Sequence, residues 1–384
     1  MVAQPLKVMM AALEPSADLI AANVMSEISN KLGGEVRFSG VGGMAMEKQG
    51  LTSLFPIDPF SVMGITDALK VAPLAIKRAK ELALEAAREQ VDVAVFVDGW
   101  AFARLCAKRF KKHAPNVKLI KLVAPQVWAS RPNRVDFVRE HFDGVLTLLP
   151  FEPKYFLDNN TKAAFVGNPN FQMAWAQRAD GAGFREKYAL HERKILAVLL
   201  GSRRSEVNHQ AALYGTIVDQ LTSLIDGLAV VVPAAPTQKA VIEAKIAHWN
   251  MRPLIVEQDE KYQAMAAADA ALAVSGTVTT ELAINKTPMV VTYMADPITS
   301  FVAKRMVTAE YASIINIEAG QEIIPEFIQE ECVPEKIVET LAPLFNSPGG
   351  KIQIEACEAV LSRLGVDRND AAKQAADYIV AWAK

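Results

Sequence analysis

Short apolar runs recur along the chain, each closed by a small or polar residue and followed by a stretch with helical spacing. In the first half these runs cover residues 7–13, 36–41, 91–98, 117–123, 144–149 and 164–167. In the second half they cover 194–200, 228–233, 254–257, 272–274 and 288–293, with a shorter one at 314–316. Most lack the strict apolar–polar alternation of a one-sided strand, so they are expected to be buried on both faces. Residues 19–32 and 68–88 carry helical spacing, and 334–384 is helical by period. This alternation predicts an α/β chain with two doubly wound parallel sheets. The boundary is expected within 168–185, near the Ala179-Asp180-Gly181-Ala182-Gly183 piece. The expected domains are residues 1–170, residues 171–340, and C-terminal helices at 341–384 that pack back on the first domain or swap in a dimer.

The strand-to-helix loops carry the candidate chemistry, because open α/β sheets bind ligands at the carboxyl ends of their strands. Ser275-Gly276-Thr277 turns the chain after 272–274. Free backbone N–H groups and the helix dipole at such a turn favour a phosphate. Glu281, about one turn further in, offers a carboxylate that accepts two hydrogen bonds from a ribose diol. Gly201-Ser202-Arg203-Arg204-Ser205-Glu206 is a second loop of this kind. Its glycine permits a tight turn and Arg203 can fork onto a diphosphate. For both loops the alternative is a capped helix of an ordinary α/β protein.

In the first half, Glu14-Pro15-Ser16-Ala17-Asp18 forms a turn after the first run, with Ser16 and Asp18 also suited to capping a helix. Asp98 closes the run 91–98, where a general base or a helix cap belongs. The stretch 124–130 follows the next run, with Arg131 and Arg134 behind it. Val62, Met63, Ile65, Leu69 and Leu74 are apolar and are followed by Lys77, Arg78 and Lys80. That edge of cations suits a membrane surface or acyl chains, and it equally suits a core helix with a solvated flank.

Composition narrows the classes. With 384 residues, 51% of them hydrophobic, the chain can bury two cores. A net charge of −2 gives no global reason to expect nucleic acid. Cys106, Cys332 and Cys357 are isolated and are expected to be buried thiols of a reducing compartment. The five histidines show no metal-ligand spacing. No signal peptide and no spanning helix is expected, which points to the cytoplasm.

An ordered set of motifs then becomes specific: Ser61-Val62-Met63-Gly64, Val97-Asp98, Pro125-Gln126-Val127-Trp128-Ala129, Leu148-Leu149-Pro150-Phe151-Glu152, the loop 201–206, Ser275-Gly276-Thr277 with Glu281, and Asn316-Ile317-Glu318-Ala319-Gly320 ahead of Gln329. The set runs through nearly the whole chain and resembles the lipid-A-disaccharide synthase family. The resemblance implies a GT-B-like plan, two Rossmann-like domains facing a cleft, and an inverting glycosyltransferase. UDP-2,3-diacylglucosamine would donate its sugar to 2,3-diacylglucosamine 1-phosphate (lipid X), giving a β-1,6-linked disaccharide 1-phosphate and UDP. Asp98 matches the general base. Gly201, Ser202, Arg203, Glu206, Ser275, Gly276, Thr277, Glu281, Asn316 and Gln329 fall on the nucleotide-sugar side. Glu14, Ser16, Asp18, Gln126 and Trp128 fall on the acceptor side. Without an Asp-x-Asp motif at a strand end, Arg203 and the Ser275 loop would replace Mg²⁺, and no cofactor is expected. The apolar segment would meet acyl chains at the inner face of the inner membrane, and a homodimer through the C-terminal helices is also implied.

The departures cluster in the first half. The family's Gly-Glu-Thr-Ser-Gly-Asp is Leu13-Glu14-Pro15-Ser16-Ala17-Asp18 here. Its Pro-Asp-Phe is Trp100-Ala101-Phe102, its Gly-His is Gly167-Asn168, and its Pro-Ser-Val-Trp is Pro125-Gln126-Val127-Trp128. Three readings therefore stand: an active enzyme with the usual lipids, a diverged paralogue with another acceptor, and a non-catalytic nucleotide- or lipid-binding relative.

Overall fold

The computed structural model describes residues 4–60, 65–296, 309–346 and 348–383, and of residues 65–70 only the helical backbone. The chain forms two compact units. One comprises Met1–Pro169 with Arg368–Lys384, the other Asn170–Asp367.

The first unit is built on strands β1 (Leu6–Ala11), β2 (Val36–Val41), β3 (Val93–Val97), β4 (Lys118–Leu122), β5 (Gly144–Thr147) and β6 (Lys162–Phe165), in the order β2-β1-β3-β4-β5-β6. Every pair is parallel. Successive strand residues point to opposite faces, and the two faces fill two separate layers. Met9, Ala94 and Phe96 pack with Leu82, Cys106 and Phe110 from helices Ile65–Glu89 and Trp100–His113. Val8, Met10, Val93 and Val95 pack with Met25 and Ile28 of helix Pro15–Lys31 and with Ala375 and Ile379 of helix Ala371–Ala383. Burial on both faces is why these strands read as continuous apolar runs.

The second unit carries β7 (Ile195–Leu199), β8 (Ala229–Pro233), β9 (Leu254–Val256), β10 (Ala270–Val274), β11 (Met289–Tyr293) and β12 (Glu326–Ile328), ordered β12-β11-β10-β7-β8-β9. These pairs are parallel too.

Two expectations differ from the structure. Residues 314–316 are not a strand but the start of helix Ile314–Ala319. The Ile-Ile-Asn-Ile sequence favours a strand locally, but its ends decide otherwise: the Ser313 side chain caps the helix by accepting from the Asn316 N–H, and Gly320 ends it at φ +66°. The last strand of the sheet is instead β12, which pairs with β11. The segment 341–384 does not act as one piece. Helix Gly349–Leu364 packs on Thr277–Ile284 and Ile314–Ala319 in the second unit, whereas Ala371–Ala383 lies against Pro15–Lys31 in the first. Lys31 pairs with Asp377 there, and the Trp382 ring fills the space over Gly144, where a Cβ would come within 2.3 Å of it.

Among the apolar candidates, Val62 and Met63 lie outside the described residues, as does the segment 298–306. Ile65 and Leu69 fall on the helical backbone of Ile65–Glu89, and Leu74 is half-buried. Further along that helix Ala79, Leu82, Ala83 and Ala86 are core residues, which is the plain packing role. Arg78 and Lys77 both reach Glu81. Among the described residues, no helix is long and apolar enough to cross a membrane.

Candidate functional site

Each sheet has one point where successive connections leave in opposite directions, and ligands of open α/β sheets bind there. In the first unit that point lies between neighbours β1 and β3. The loops leaving them carry Glu14 and Asp98. In the second unit it lies between β7 and β10. Their loops are 201–203 and 275–277. The sheet order thus brings together, in each unit, loops that are far apart in sequence.

Asp98 is exposed and sits at φ +51°, followed by Gly99 at φ +49°, before helix Trp100–His113 begins. Aspartate tolerates the left-handed region better than most residues, but two such residues in succession make an abrupt corner. The Asp98 N–H donates to the Leu122 carbonyl at 3.0 Å, fixing that corner to β4. Glu14 faces it: partial burial first, and the negative charge of Asp98 second, push the Glu14 carboxyl above its ordinary range. The shift favours the protonated form of Glu14, which can then donate a hydrogen bond.

Beneath this corner lies a residue the motifs did not single out. Lys121, in β4, is 1% exposed. Its Nζ donates to the carbonyls of Leu122 (2.8 Å), Val123 (2.8 Å) and Phe96 (3.3 Å). Burial pulls its amine down to about 7, and the charge of Asp98 acts in the opposite direction. A lysine between the apolar residues Ile120 and Leu122 of a parallel strand was the available signal.

The acceptor-side candidates divide. Ser16 and Gln126 are exposed. Asp18 is buried, and its carboxylate accepts from the backbone N–H groups of Gly43 (2.7 Å), Ala45 (2.9 Å) and Met46 (3.2 Å). It therefore caps the short helix Met44–Glu47. Trp128 donates its indole N–H to Glu152 at 3.0 Å, while the Leu148 and Leu149 N–H groups bind the same carboxyl. Burial raises Glu152 to about 7 against those three donors. This buried carboxyl ties the loop after β4 to the loop after β5.

In the second unit Gly201 takes φ +103°, and a Cβ there would meet Glu206 at 2.4 Å. The Glu206 carboxylate accepts from the N–H groups of Ser202 (3.0 Å) and Arg203 (3.2 Å) and from the Arg203 guanidinium (2.8 Å). The amides expected to cradle a phosphate thus hold an internal anion, which demonstrates their polarity. Gly276 and Thr277 are exposed at the start of helix Thr277–Ile284, and Ser275 donates its hydroxyl to the Ala312 carbonyl at 2.8 Å. Glu281 accepts from Lys261 at 2.8 Å, both side chains being mostly buried. Burial first, then the charge of Glu281 and a hydrogen bond to it, raise the Tyr262 phenol. Lys261 and Tyr262 thus orient Glu281, and neither was foreseen.

Asn316 is fully buried. Its amide nitrogen donates to the Ile324 carbonyl (2.7 Å) and Glu326 (2.8 Å), and its oxygen accepts from the N–H groups of Ile323 (2.8 Å) and Ile324 (2.9 Å). All four hydrogen-bonding positions of the amide are used. These bonds shape the loop before β12. Gln329 follows β12 at φ +56°, and its side-chain oxygen accepts from Ala295 N–H at 3.4 Å, beside the loop that leaves β11.

Two parallel Rossmann-type sheets, each with polar loops at its reversal point, define a GT-B glycosyltransferase fold. Solved structures agree at the level of fold. The glycotransferase of kitacinnamycin is 14% identical with a TM-score of 0.61, covering all of both chains. Anabaena Alr3699/HepE in complex with UDP and glucose is 12% identical with a TM-score of 0.54, covering 98% of this chain and 99% of that one. The lipid-A-disaccharide synthetase family model matches residues 8–379. The lipid-A-disaccharide synthase of Paramagnetospirillum magneticum is 35% identical over 96% of this chain and 95% of its own. The chain belongs to the lipid-A-disaccharide synthetase family and is a glycosyltransferase of lipid A biosynthesis.

Proposed function

We propose that the chain transfers 2,3-diacylglucosamine from UDP to the 6-hydroxyl of 2,3-diacylglucosamine 1-phosphate, with inversion. One observation carries the reading: the reversal point of one sheet bears paired carboxyl groups, and that of the other bears two amide-rich loops and an oriented glutamate. In the reaction Asp98 takes the proton of the acceptor hydroxyl as its oxygen attacks the anomeric carbon. The bond from that carbon to the β-phosphate oxygen breaks, and its electron pair leaves with UDP. Glu14, with its raised carboxyl, donates a hydrogen bond to the acceptor. Arg203 and the loop amides at 202–203 and 276–277 balance the charge growing on the diphosphate. Glu281 holds the ribose. The complex of Alr3699/HepE with UDP supports nucleotide use by this fold. Access to acylated substrates, at the inner membrane surface, falls to the segment around residues 62–74, and pairing of two copies through the C-terminal helices is part of the same reading.

An assay with both lipid sugars tests it. Disaccharide 1-phosphate and UDP should form in equal amounts. Asp98→Asn should slow transfer by on the order of a hundredfold or more while UDP still binds. Full activity in that variant, or UDP binding without any product in the parent, overturns the reading.

A further inference from the structure

The helix that begins two residues after Asp98 presents a cationic surface that the reaction above leaves unused. The rings of Trp100 and Phe137 meet edge to face at 5.6 Å. The Arg134 guanidinium lies over Trp100 at 5.4 Å, and Arg104 over Phe137 at 5.1 Å. Lys108 reaches the Phe137 ring at 5.9 Å. A single arginine resting on a ring is ordinary shielding of an apolar surface. Here three cations share two touching rings. Partial burial, then the charges of Arg131 and Arg104, lower the Arg134 guanidinium, so these groups feel one another.

No carboxylate answers them. Among the described residues, none lies within ion-pair distance of Arg104, Lys108, Arg131 or Arg134. Of the acids along helix Arg134–His141, Asp136 pairs with Arg139 at 2.9 Å, and Glu140 forms no ion pair with any of the four cations. Arginines held on aromatic rings, close together and without counter-charge, are preorganised for a multiply charged oxyanion, which they bind as forks.

We propose that Arg104 and Arg134, seated on Phe137 and Trp100, together with Arg131, whose charge acts on Arg134, bind the phosphomonoester of the acceptor lipid. This rests on the transferase reading. Cα atoms two residues apart lie within about 7 Å of each other, so Trp100 stays within roughly one sugar ring of Asp98. In this proposal a phosphate held at the cluster shares the corner after β3 with the general base. The cluster supplies what the replaced Pro-Asp-Phe segment does not, a fixed point for the acceptor on the same helix.

The test compares the phosphorylated acceptor with its dephosphorylated counterpart in detergent micelles. The parent enzyme should prefer the phosphorylated lipid in kcat/KM by about tenfold or more, the worth of charge-assisted hydrogen bonds. Arg134→Gln should raise the KM for that acceptor by about tenfold without moving the KM of the donor, and Arg134→Lys should lie between. In the variant combining Arg104→Gln, Arg131→Gln and Arg134→Gln the preference should vanish. Its survival there overturns the proposal. If the parent makes no product, calorimetry with glucosamine 1-phosphate decides the site apart from the reaction: binding lost in the triple variant sustains it, and equal or absent binding in both ends it. Flotation with phosphatidylglycerol vesicles separates the remaining source of anions. A triple variant that loses vesicle binding but keeps its choice of acceptor shows that the cations serve the bilayer, and the proposal fails.

Discussion

The buried ammonium of Lys121 donates to the carbonyl of Val123, at 2.8 Å, and Val123 is held at φ +67°. A β-branched residue in the left-handed region is a strained one. The Val123 N–H also donates to Leu146 at 3.0 Å, so the strain is fixed from both sides. Lys121 reaches Phe96 in β3 as well, tying that strand, which ends at Asp98, to β4. Replacing Lys121 by Met should let this corner relax. We expect kcat to fall by about tenfold or more, as misplacement of a catalytic group does, with UDP affinity unchanged. Calorimetry with UDP beside steady-state kinetics checks it, and parallel loss of UDP binding would reject it.

The same lysine and Glu152 give stability a defined pH dependence. Glu152 is raised to about 7 from 4.5, so its contribution is complete below about 4.5 and is lost as pH rises through 7. Lys121 is lowered to about 7 from 10.5, so its contribution is complete above about 10.5 and is lost as pH falls through 7. The two groups together place a stability minimum near neutrality. Urea unfolding of the parent and of Glu152→Gln should differ in slope on the acid side. Lys121→Met should flatten the alkaline side. Curves of identical shape in parent and variants would contradict both assignments.

In the second unit a carboxylate already holds the amides of the 201–203 loop. If the diphosphate is held at these amides as proposed, Glu206 competes with it, and Glu206→Gln should tighten UDP binding several-fold. It should also cost about 0.5–2 kcal/mol of stability through the weakened helix start. Arg203→Ala should weaken UDP by about tenfold or more, since a charge-assisted contact is lost. Opposite signs for the two variants in one calorimetric series are the expected outcome.

Asn316 separates a structural role from a binding one. Asn316→Ala leaves two backbone N–H groups, a carbonyl and Glu326 short of a partner, and should destabilise the chain by about 2–4 kcal/mol. UDP affinity of the folded variant should stay within a few-fold of the parent, measured below its unfolding transition.

Much of this architecture was written in local pattern. The apolar runs mark eleven of the twelve strands among the described residues, because a parallel sheet covered on both faces demands apolar side chains throughout. The residues around 201 and 275 stood out because tight strand-to-helix turns need small residues. What local pattern could not supply is pairing across the sheet. That Glu14 lies beside Asp98, or that Lys261 and Tyr262 orient Glu281, follows from strand order and not from spacing. The backbone bonds of Asp18 and Asn316 were hidden for a related reason: a polar side chain in a loop motif looks alike whether it meets a ligand or the backbone of its own fold.

The passage of the chain through both units has a bearing on how it is made. Helix Ala371–Ala383 completes the layer formed by Pro15–Lys31, yet it follows the whole of the second unit. During synthesis, then, the amino-terminal sheet waits with one apolar side only partly covered until the second unit has been made. The later-made half has all its parts first. A ribosome stalled before residue 368 should release a nascent protein whose first sheet is sticky and protease-sensitive while its second is already closed.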